Sequence, residues 1–472
     1  MKIRITITLA CILCLLMTSC DRFISNNNAL DPDNPITVTI WNYYNGTVKD
    51  KFDELVMKFN DTIGTEQGIV IEAQSYGDVN ELADALFASA NEEIGSMPMP
   101  DVFAAYPENV FRIDQIKELV DLGQYFSQKE FEEIRYEFLE EGTFGEGQEL
   151  KILPIAKSTE NLFLNKTFWN EFASSSGATL NSLVTWEGLV EIAKLYYEQT
   201  GKAFFGIDAN ANYMLISAMQ LGEELYEYKG DEAVLNFDEE TAYRIWNNYY
   251  VPYINGYFAK TGRFSSDDAK TGAIVAYTGS TAGASYFPQE IAVNDELIPI
   301  EVITLPYPYY KGGKPFVIQQ GAGMCITKSD KAHEYAASVF LKWFIDSQQN
   351  VDFAISTGYL PVKTESLKKD VLITELEKGS LAVNAVKKSI ITTVDMLDSY
   401  SFYGNKPFQG SYEARGILET SLPNRVKNDL KILNERVEDG EDRKLVISEL
   451  TSKEQFLDWY EEFKEDITTA IK

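Results

Sequence analysis

From residue 36 onward, apolar and polar positions follow the spacings of alternating strands and helices. Residues 36–40 alternate isoleucine or valine with threonine, which predicts a strand with one buried face. Apolar side chains recur at helical spacing over 52–59 and 82–90, and apolar runs at 68–71 and 102–105 predict two more strands. This order of strand, helix, strand, helix, strand predicts a parallel sheet with helices on its faces, so the expected fold class is α/β. Further helices are predicted at 186–197 and 331–345.

Tyrosines and amide side chains are concentrated just after the three predicted strands. In an open sheet of this kind, ligands bind beyond the carboxyl ends of the strands. Tyrosine rings pack on the apolar faces of a ligand, while amides hydrogen-bond to its polar groups. We therefore predict ligand contacts from Asn42, Tyr43, Tyr44, Asn45, Tyr76 and Tyr106. For each tyrosine alone, a packed position in a core or a lobe interface is the alternative.

Length and charge narrow the class of protein. A chain of 472 residues, 45% of them hydrophobic, is long enough for two domains or for one domain with two lobes. Aspartate and glutamate total 72 against 42 lysines and arginines, and the net charge of -30 would repel nucleic acid and anionic lipid. Nucleic acid is therefore excluded as a partner.

The N-terminus predicts export. Lys2 and Arg4 precede an apolar run over residues 5–17, which has the charge, length and position of a secretory signal peptide and is too short to span a bilayer. The run ends in Leu-Met-Thr-Ser-Cys, which resembles the lipobox of bacterial lipoproteins, so Cys20 would carry lipid. Residues 1–19 are the predicted signal peptide, and 20–35 comprise the lipid-modified cysteine and a flexible tether. Ordinary secretory cleavage nearby, without lipid on Cys20, is the alternative.

Few residues are available for metal, disulfide or histidine chemistry. Two of the four cysteines would leave with the signal peptide, Cys20 would be lipidated, and Cys325 would stand alone, so no disulfide and no cysteine zinc site is expected. His333 is the only histidine, which excludes a catalytic triad built with histidine. Asp208 begins a stretch like a calcium loop, but Tyr213 stands where that loop requires glycine. We expect neither a metal nor a cofactor.

Five short blocks form an ordered set between residues 153 and 362. They are residues 153–169 (LPIAKSTENLFLNKTFW), 185–189 (TWEGL), 272–280 (GAIVAYTGS), 305–323 (LPYPYYKGGKPFVIQQGAG) and 357–362 (TGYLPV). In this order and spacing they resemble the extracellular solute-binding proteins of family 1. One departure is Leu164, which replaces the aromatic residue that usually precedes Asn165 in that family.

The resemblance implies the type II periplasmic-binding fold, in which two α/β lobes are joined by crossovers and solute binds in the cleft between them. Crossovers are expected near residues 154–157 and 317–321, with a looser one at 363–369. The N-lobe would then comprise residues 36–156 and 320–368, and the C-lobe residues 157–319 and 369–472.

The same resemblance implies a sugar or sugar-like ligand, and it adds residues on and beyond the crossovers to the predicted site. These are Lys157, Ser158, Thr159, Trp186, Asn212, Tyr213, Ser280, Gln320 and Tyr359. Because two hydroxyl residues follow Lys157, a glycerol phosphate or other phosphorylated polyol bound by the lysine charge is a second possibility. A pairing of Lys157 with Glu160 or another carboxylate is the alternative to both.

With the export signal, these features predict a monomeric, extracytoplasmic receptor of an ABC importer, anchored to the membrane by lipid. It would close around its solute by hinge motion and deliver it unchanged to the permease subunits of the importer. Two other classes remain open: a glycoside-active enzyme that uses paired carboxylates, and a structural or adhesive lipoprotein.

Overall fold

The structure, a computed structural model, describes residues 30–145, 147–293, 296–378 and 384–472. The predicted signal peptide, Cys20 and most of the predicted tether lie outside these residues. At the end of the tether, Leu30 packs against buried apolar side chains, and the amide of Asn34 donates to the carbonyl of Asp31 at 3.0 Å.

Two separate four-stranded sheets organise the fold. In chain order the strands of the described residues are β1 (Ile36–Asn42), β2 (Ile69–Ser75), β3 (Val102–Ala105), β4 (Thr143–Phe144), β5 (Glu149–Leu150), β6 (Glu160–Asn165), β7 (Phe205–Ile207), β8 (Tyr226–Lys229), β9 (Glu232–Leu235), β10 (Ala276–Ser280), β11 (Glu290–Val293), β12 (Glu296–Pro299), β13 (Val302–Pro306), β14 (Phe316–Ile318), β15 (Gly323–Ile326) and β16 (Ser401–Tyr403). The strands outside the two sheets form short pairs: β4 with β5, β8 with β9, β11 with β12, and β14 with β16.

Helices pack around both sheets. In chain order they are Gly46–Phe59, Thr65–Gln67, Val79–Ala90, Pro107–Asp114, Gln128–Glu133, Tyr136–Glu140, Lys166–Ser176, Trp186–Thr200, Asn210–Leu221, Glu239–Asn248, Tyr250–Asn255, Ser265–Lys270, Lys331–Phe344, Ser347–Thr357, Lys369–Lys378, Asn384–Leu397, Ser411–Glu438, Arg443–Leu450 and Lys453–Ala470. Short 3-10 or π turns lie at Asn60–Gly64, Leu122–Gln124, Leu180–Leu183, Thr281–Tyr286 and Thr364–Leu367. The helices predicted from apolar spacing are confirmed to within a few residues.

The first sheet has the strand order β15-β3-β1-β2. β1 runs parallel to β2 and β3, as the sequence predicts, and β15 pairs antiparallel with β3. The alternation along β1 buries Val38 and Ile40, and the helix Gly46–Phe59 buries Phe52 and Phe59 in the same core. We call this sheet with its helices the first lobe.

The second sheet has the order β13-β6-β10-β7 and is mixed, because β6 runs antiparallel to both neighbours while β7 runs parallel to β10. The helix Asn384–Leu397 packs on β13, and the helix Ser411–Glu438 packs on Asn210–Leu221. The core of this second lobe contains the buried tryptophans Trp169, Trp186, Trp246 and Trp459. The expected α/β class with two lobes is confirmed.

Two crossovers lie side by side between the lobes. Residues 153–158 and 320–324 run antiparallel, and the backbones of Ser158 and Gln320 bond in both directions at 2.9 and 2.8 Å. These segments overlap the first two predicted crossovers, 154–157 and 317–321, and the predicted lobe boundaries stay a prediction.

The third predicted crossover, 363–369, still contacts the first lobe. Lys363 lies 2.9 Å from Glu133 of that lobe, and the backbone of Leu360 bonds with that of Lys157. The chain has entered the second lobe at the helix Asn384–Leu397, which packs on β13. Within the described ranges, no helix combines the length and apolar character that crossing a membrane requires.

Candidate functional site

Loops that follow strands of both sheets meet where the lobes touch, and we call this region the lobe junction. Among the described residues, the contacts that cross it include Asp78 to Arg263 (3.0 Å), Asn45 to the hydroxyl of Tyr286 (3.1 Å), Glu108 to the amide of Asn405 (2.7 Å), and the Arg112 guanidinium over the ring of Tyr412 (4.2 Å). In each pair the first residue belongs to the first lobe and the second to the second lobe. The lobes are therefore in contact along the ends of their strands, where ligands bind in folds of this kind.

Three tyrosines from different parts of the first lobe form one wall of the junction. The rings of Tyr43 and Tyr106 are stacked with centroids 6.4 Å apart. Tyr359 lies beside Tyr43, and burial raises the pKa of all three hydroxyls above their usual value. These groups are therefore neutral at physiological pH, and they can both donate and accept hydrogen bonds.

A chain of polar contacts links the second lobe to the first. The amide of Asn212 donates to Oε1 of Glu160 at 2.7 Å, and Arg415 donates to the Asn212 oxygen at 2.8 Å. The same arginine lies 3.8 Å from Glu108, which is held by Asn405. Because Glu108 belongs to the first lobe, rotation of the lobes would break or remake its contacts with Arg415 and Asn405.

Glu160 is the most perturbed carboxyl of this chain of contacts. Its side chain is 1% exposed, and burial raises its pKa to about 8, with the negative charges of Asp208 and Glu419 acting in the same direction. The hydrogen bond from Asn212 and the charge of Arg415 oppose this shift without cancelling it. Glu160 is therefore largely a neutral acid near pH 7 in this arrangement.

Several buried oxygens at the junction have no protein hydrogen-bond partner among the described residues. They are the Tyr307 hydroxyl, Oε1 of Gln319, Oε1 of Gln320 and Oδ1 of Asn405. A buried polar atom left unpaired costs about 1–3 kcal/mol, so a ligand that supplies donors here would recover that free energy. The junction is therefore suited to a ligand with several hydroxyl groups.

The charge of Lys157 is bound by other groups of the protein. Its ammonium lies 2.8 Å from Oε2 of Glu141 and donates to the carbonyl of Gly321 at 3.0 Å. Both side chains of the pair are buried, so the charges neutralise each other away from water. The pairing with a carboxylate is thus present, with Glu141 as the partner instead of Glu160.

The structure brings many of the predicted site residues to the junction or the crossovers beside it. These are Tyr43, Asn45, Tyr106, Lys157, Ser158, Asn212, Ser280, Gln320 and Tyr359. Ser158 and Ser280 face each other with hydroxyl oxygens 3.5 Å apart. No observed contact shows which of these residues touches ligand, and their role stays a prediction.

The remaining predicted site residues pack inside the lobes or form local hydrogen bonds. Trp186 and Tyr213 are fully buried in the second core with rings 5.0 Å apart. Tyr44 packs between Phe52 and Phe353 in the first core. Three others are occupied locally: Asn42 accepts from the Tyr44 amide, Thr159 donates to the Ile318 carbonyl, and Tyr76 packs on Trp41.

Sequence reasoning did not assign a site role to Glu108, Glu160, Asn405 or Arg415. Glu108 lies in the first turn of the helix that follows β3, and Glu160 begins β6 just after the first crossover, so position alone could have identified both. Asn405 and Arg415 come from the last part of the chain, where no block of the family resemblance indicated a ligand contact.

The described residues contain no group of three or more His, Cys, Asp or Glu placed to hold a metal ion. His333 is partly exposed at the start of the helix Lys331–Phe344, where its Nδ1 lies 2.7 Å from Asp330. Cys325 is buried and free.

A groove of about 1150 Å³ lies to one side of the junction. Its walls come from both lobes: residues 121–150 of the first, and 228–231 with Lys406 and Pro407 of the second. Five carboxylates and one lysine line it, so it is unfavourable for an anion: Asp121, Glu132, Glu140, Glu141, Asp231 and Lys406.

Comparison with known sequences defines the class of protein. The sequence profile of the bacterial extracellular solute-binding proteins matches residues 54–377, well over half of the 472-residue chain. The chain belongs to this family, whose members act outside the cytoplasm. No curated protein sequence matches the chain.

Solved structures share the two-lobed fold at low sequence identity. A cyclic alpha-maltosyl-1,6-maltose binding protein from Arthrobacter globiformis has a TM-score of 0.67 and 18% identity, covering 93% of this chain and 100% of its own. UgpB from Mycobacterium tuberculosis, in complex with glycerophosphocholine, has a TM-score of 0.64 and 17% identity, covering 93% of this chain and 100% of its own. The Thermus thermophilus maltotriose binding protein, bound with maltotriose, has a TM-score of 0.61 and 15% identity, covering 92% of this chain and 100% of its own. At such identities the likeness establishes the fold.

Proposed function

We propose that this chain is the solute receptor of an ABC importer and that its ligand is a neutral sugar or oligosaccharide bound at the lobe junction. The observation that carries the proposal is the composition of the junction, where tyrosine hydroxyls, amides and serine hydroxyls from both lobes surround charges that contact one another. A sugar requires this combination, because it has hydroxyl groups around its rim and apolar C–H faces. The unpaired oxygens of Tyr307, Gln319, Gln320 and Asn405 could then accept hydrogen bonds from its hydroxyls.

The charges of the junction count against a phosphorylated polyol. Lys157 is held by Glu141, and the other carboxyl groups nearby, Glu108 and Glu160, would repel a phosphate when ionised. UgpB was solved with glycerophosphocholine, so the fold itself permits such a ligand. The preference for a neutral ligand therefore rests on the side chains of this chain.

The proposed receptor performs no bond-breaking chemistry and returns its ligand unchanged. It acts as a monomer, held at the membrane by lipid on Cys20, and presents the closed lobes to the permease. Closure is favoured by ligand only to the extent that the ligand binds the closed form more tightly than the open one.

Thermal stabilisation by a panel of neutral oligosaccharides, polyols and glycerol phosphates tests the proposal. A true ligand should stabilise the folded protein by about 2.7 kcal/mol at a hundredfold excess over its Kd. We expect this from a neutral sugar, recovered intact by chromatography afterwards. Stabilisation by phosphorylated compounds alone would contradict the proposed ligand class, and a consumed sugar would indicate an enzyme.

A further inference from the structure

Glu160 occupies an unusual electrostatic position at the first residue of β6. Its carboxyl is enclosed by the second lobe and the second crossover, and both hydrogen bonds that reach it come from neutral amides. Oε1 accepts from Asn212 at 2.7 Å and from Gln320 at 3.4 Å. Within the described residues, no side-chain donor lies at hydrogen-bond distance from Oε2, although the otherwise unpaired Tyr307 hydroxyl is close enough to interact with the carboxyl.

In the part of the chain that the structure describes, no cation compensates this carboxyl directly. Arg415 is directed to Asn212 and Glu108, and no described basic group lies within ion-pair distance of Glu160. The ionisable groups that face it are Asp208 after β7, Glu419 and Arg415 on the helix Ser411–Glu438, and Tyr307 after β13. An unpaired buried carboxylate facing two other carboxylates is costly, and a bound proton removes that cost.

We propose that Glu160 takes part in ligand binding as a neutral carboxylic acid, with Oε1 held by its two amide donors and Oε2–H donating to an acceptor oxygen of the ligand. Binding then takes up one proton whenever Glu160 is ionised in the open protein. This inference rests on the proposed function and narrows the ligand to a neutral molecule with acceptor oxygens. An ammonium-bearing ligand would instead favour the ionised carboxylate and release a proton.

The sign of the pH dependence follows from this linkage. Without ligand, the carboxyl stays enclosed by the second lobe and the second crossover, where burial raises its pKa to about 8. The hydrogen bond from Oε2–H to the ligand raises this pKa further, and between the two values the association constant should fall about tenfold for each pH unit. Ligand affinity is thus unaffected by this group below about pH 8 and decreases as the pH rises above that value.

Calorimetric titration measures the proton directly. The probe is the neutral sugar that gives the largest thermal shift, titrated at about pH 7 and about pH 9 in buffers of different ionisation enthalpy. We expect proton uptake at the higher pH and a Kd that is higher there than at the lower pH. Glu160→Gln, which is neutral at every pH and can still donate, should bind with no proton exchange. Glu419→Gln, which neutralises the facing carboxylate, should still take up the proton.

Three results would overturn the inference: no proton exchange, proton release, or an uptake that persists in Glu160→Gln.

If no sugar of the panel binds the wild-type protein, the proposed function fails, and the protonation of Glu160 is tested without ligand. If Glu160 is buried as a neutral acid, the unfolding equilibrium constant of the wild-type protein should rise with pH. Relative to that of Glu160→Gln, the rise should be about tenfold per pH unit between about pH 5 and about pH 7.5. Parallel curves for the two proteins would contradict it.

Discussion

Lys157 illustrates how a residue type can suggest one function while its contacts assign another. Followed by two hydroxyl residues at a crossover, it is typical of a phosphate contact, yet its charge is bonded to Glu141. Removing one partner of a buried pair leaves the other charge uncompensated. Lys157→Ala should therefore lower the free energy of unfolding by about 3 kcal/mol, measured by urea denaturation.

A double variant separates this structural role from ligand binding. Lys157→Met combined with Glu141→Leu removes both charges together and should recover most of the lost stability. The affinity of this folded double variant for a neutral sugar should change little. A stable variant that loses all binding would show that Lys157 contacts the ligand.

Arg415 connects Asn212 of the second lobe with Glu108 of the first. Because charge-assisted hydrogen bonds contribute about 1.5–3 kcal/mol, Arg415→Ala should weaken ligand binding roughly tenfold or more. Isothermal titration calorimetry measures the change in Kd. The matched control is Arg436→Ala on the same helix, whose partners Glu441 and Glu449 lie on the surface. Equal effects of the two substitutions on Kd would contradict a role of Arg415 in the site.

Some residues of the junction could be predicted from the sequence because they follow predicted strands. Tyr43 and Tyr106 follow predicted strands, so the geometry of a parallel sheet was enough to bring them together. Arg415 could not be predicted, because it reaches the junction from a helix near the end of the chain. Trp186 and Tyr213 were predicted from the family resemblance, and their full burial comes from packing that sequence does not reveal.

At the level of elements, periodicity predicted the helices and the parallel strands of the first lobe. The second sheet was harder, because its strands are short apolar runs whose direction is not encoded in their spacing. β6 runs antiparallel to both neighbours, an arrangement that depends on the crossover before it. Only the family resemblance indicated the crossovers themselves.

Substitution of Gly321 tests how closely the two crossovers pack. Its φ is +97°, and a Cβ there would lie 2.5 Å from the carbonyl oxygen of Ala156. Gly312 also has a positive φ, +79°, but open space around its Cβ position. Gly312→Ala should cost about 1–2 kcal/mol of unfolding free energy for the backbone conformation alone.

Gly321→Ala should cost clearly more than Gly312→Ala, because the methyl group must also push the crossovers apart. Urea denaturation of both variants provides the comparison. Equal losses would show that the crossovers tolerate separation at this point.

At the level of the whole molecule, the proposed membrane attachment rests on Cys20, which lies outside the described part of the chain. If Cys20 carries two acyl chains, they are sufficient for stable anchoring. Cys20→Ser should therefore move the protein from the membrane fraction to the soluble fraction. Retention of the variant in membranes, with no lipid mass on the mature N-terminus of the wild-type protein, would contradict lipidation.

The lobes touch in this structure through contacts that a rotation about the crossovers would separate. The buried cluster around the first sheet extends to Phe163, Tyr277 and Val302 of the second sheet, and the other cluster lies within the second lobe. We expect the rotation to be absorbed at the crossovers, with each sheet moving as a unit. A ligand held at the junction should shift the population from open to closed.

Small-angle X-ray scattering, with and without the neutral sugar that gives the largest thermal shift, measures this change. A saturating sugar should reduce the radius of gyration and give a scattering curve that matches the closed structure. A sugar that binds at full occupancy and leaves the radius of gyration unchanged would contradict a receptor that closes around its ligand.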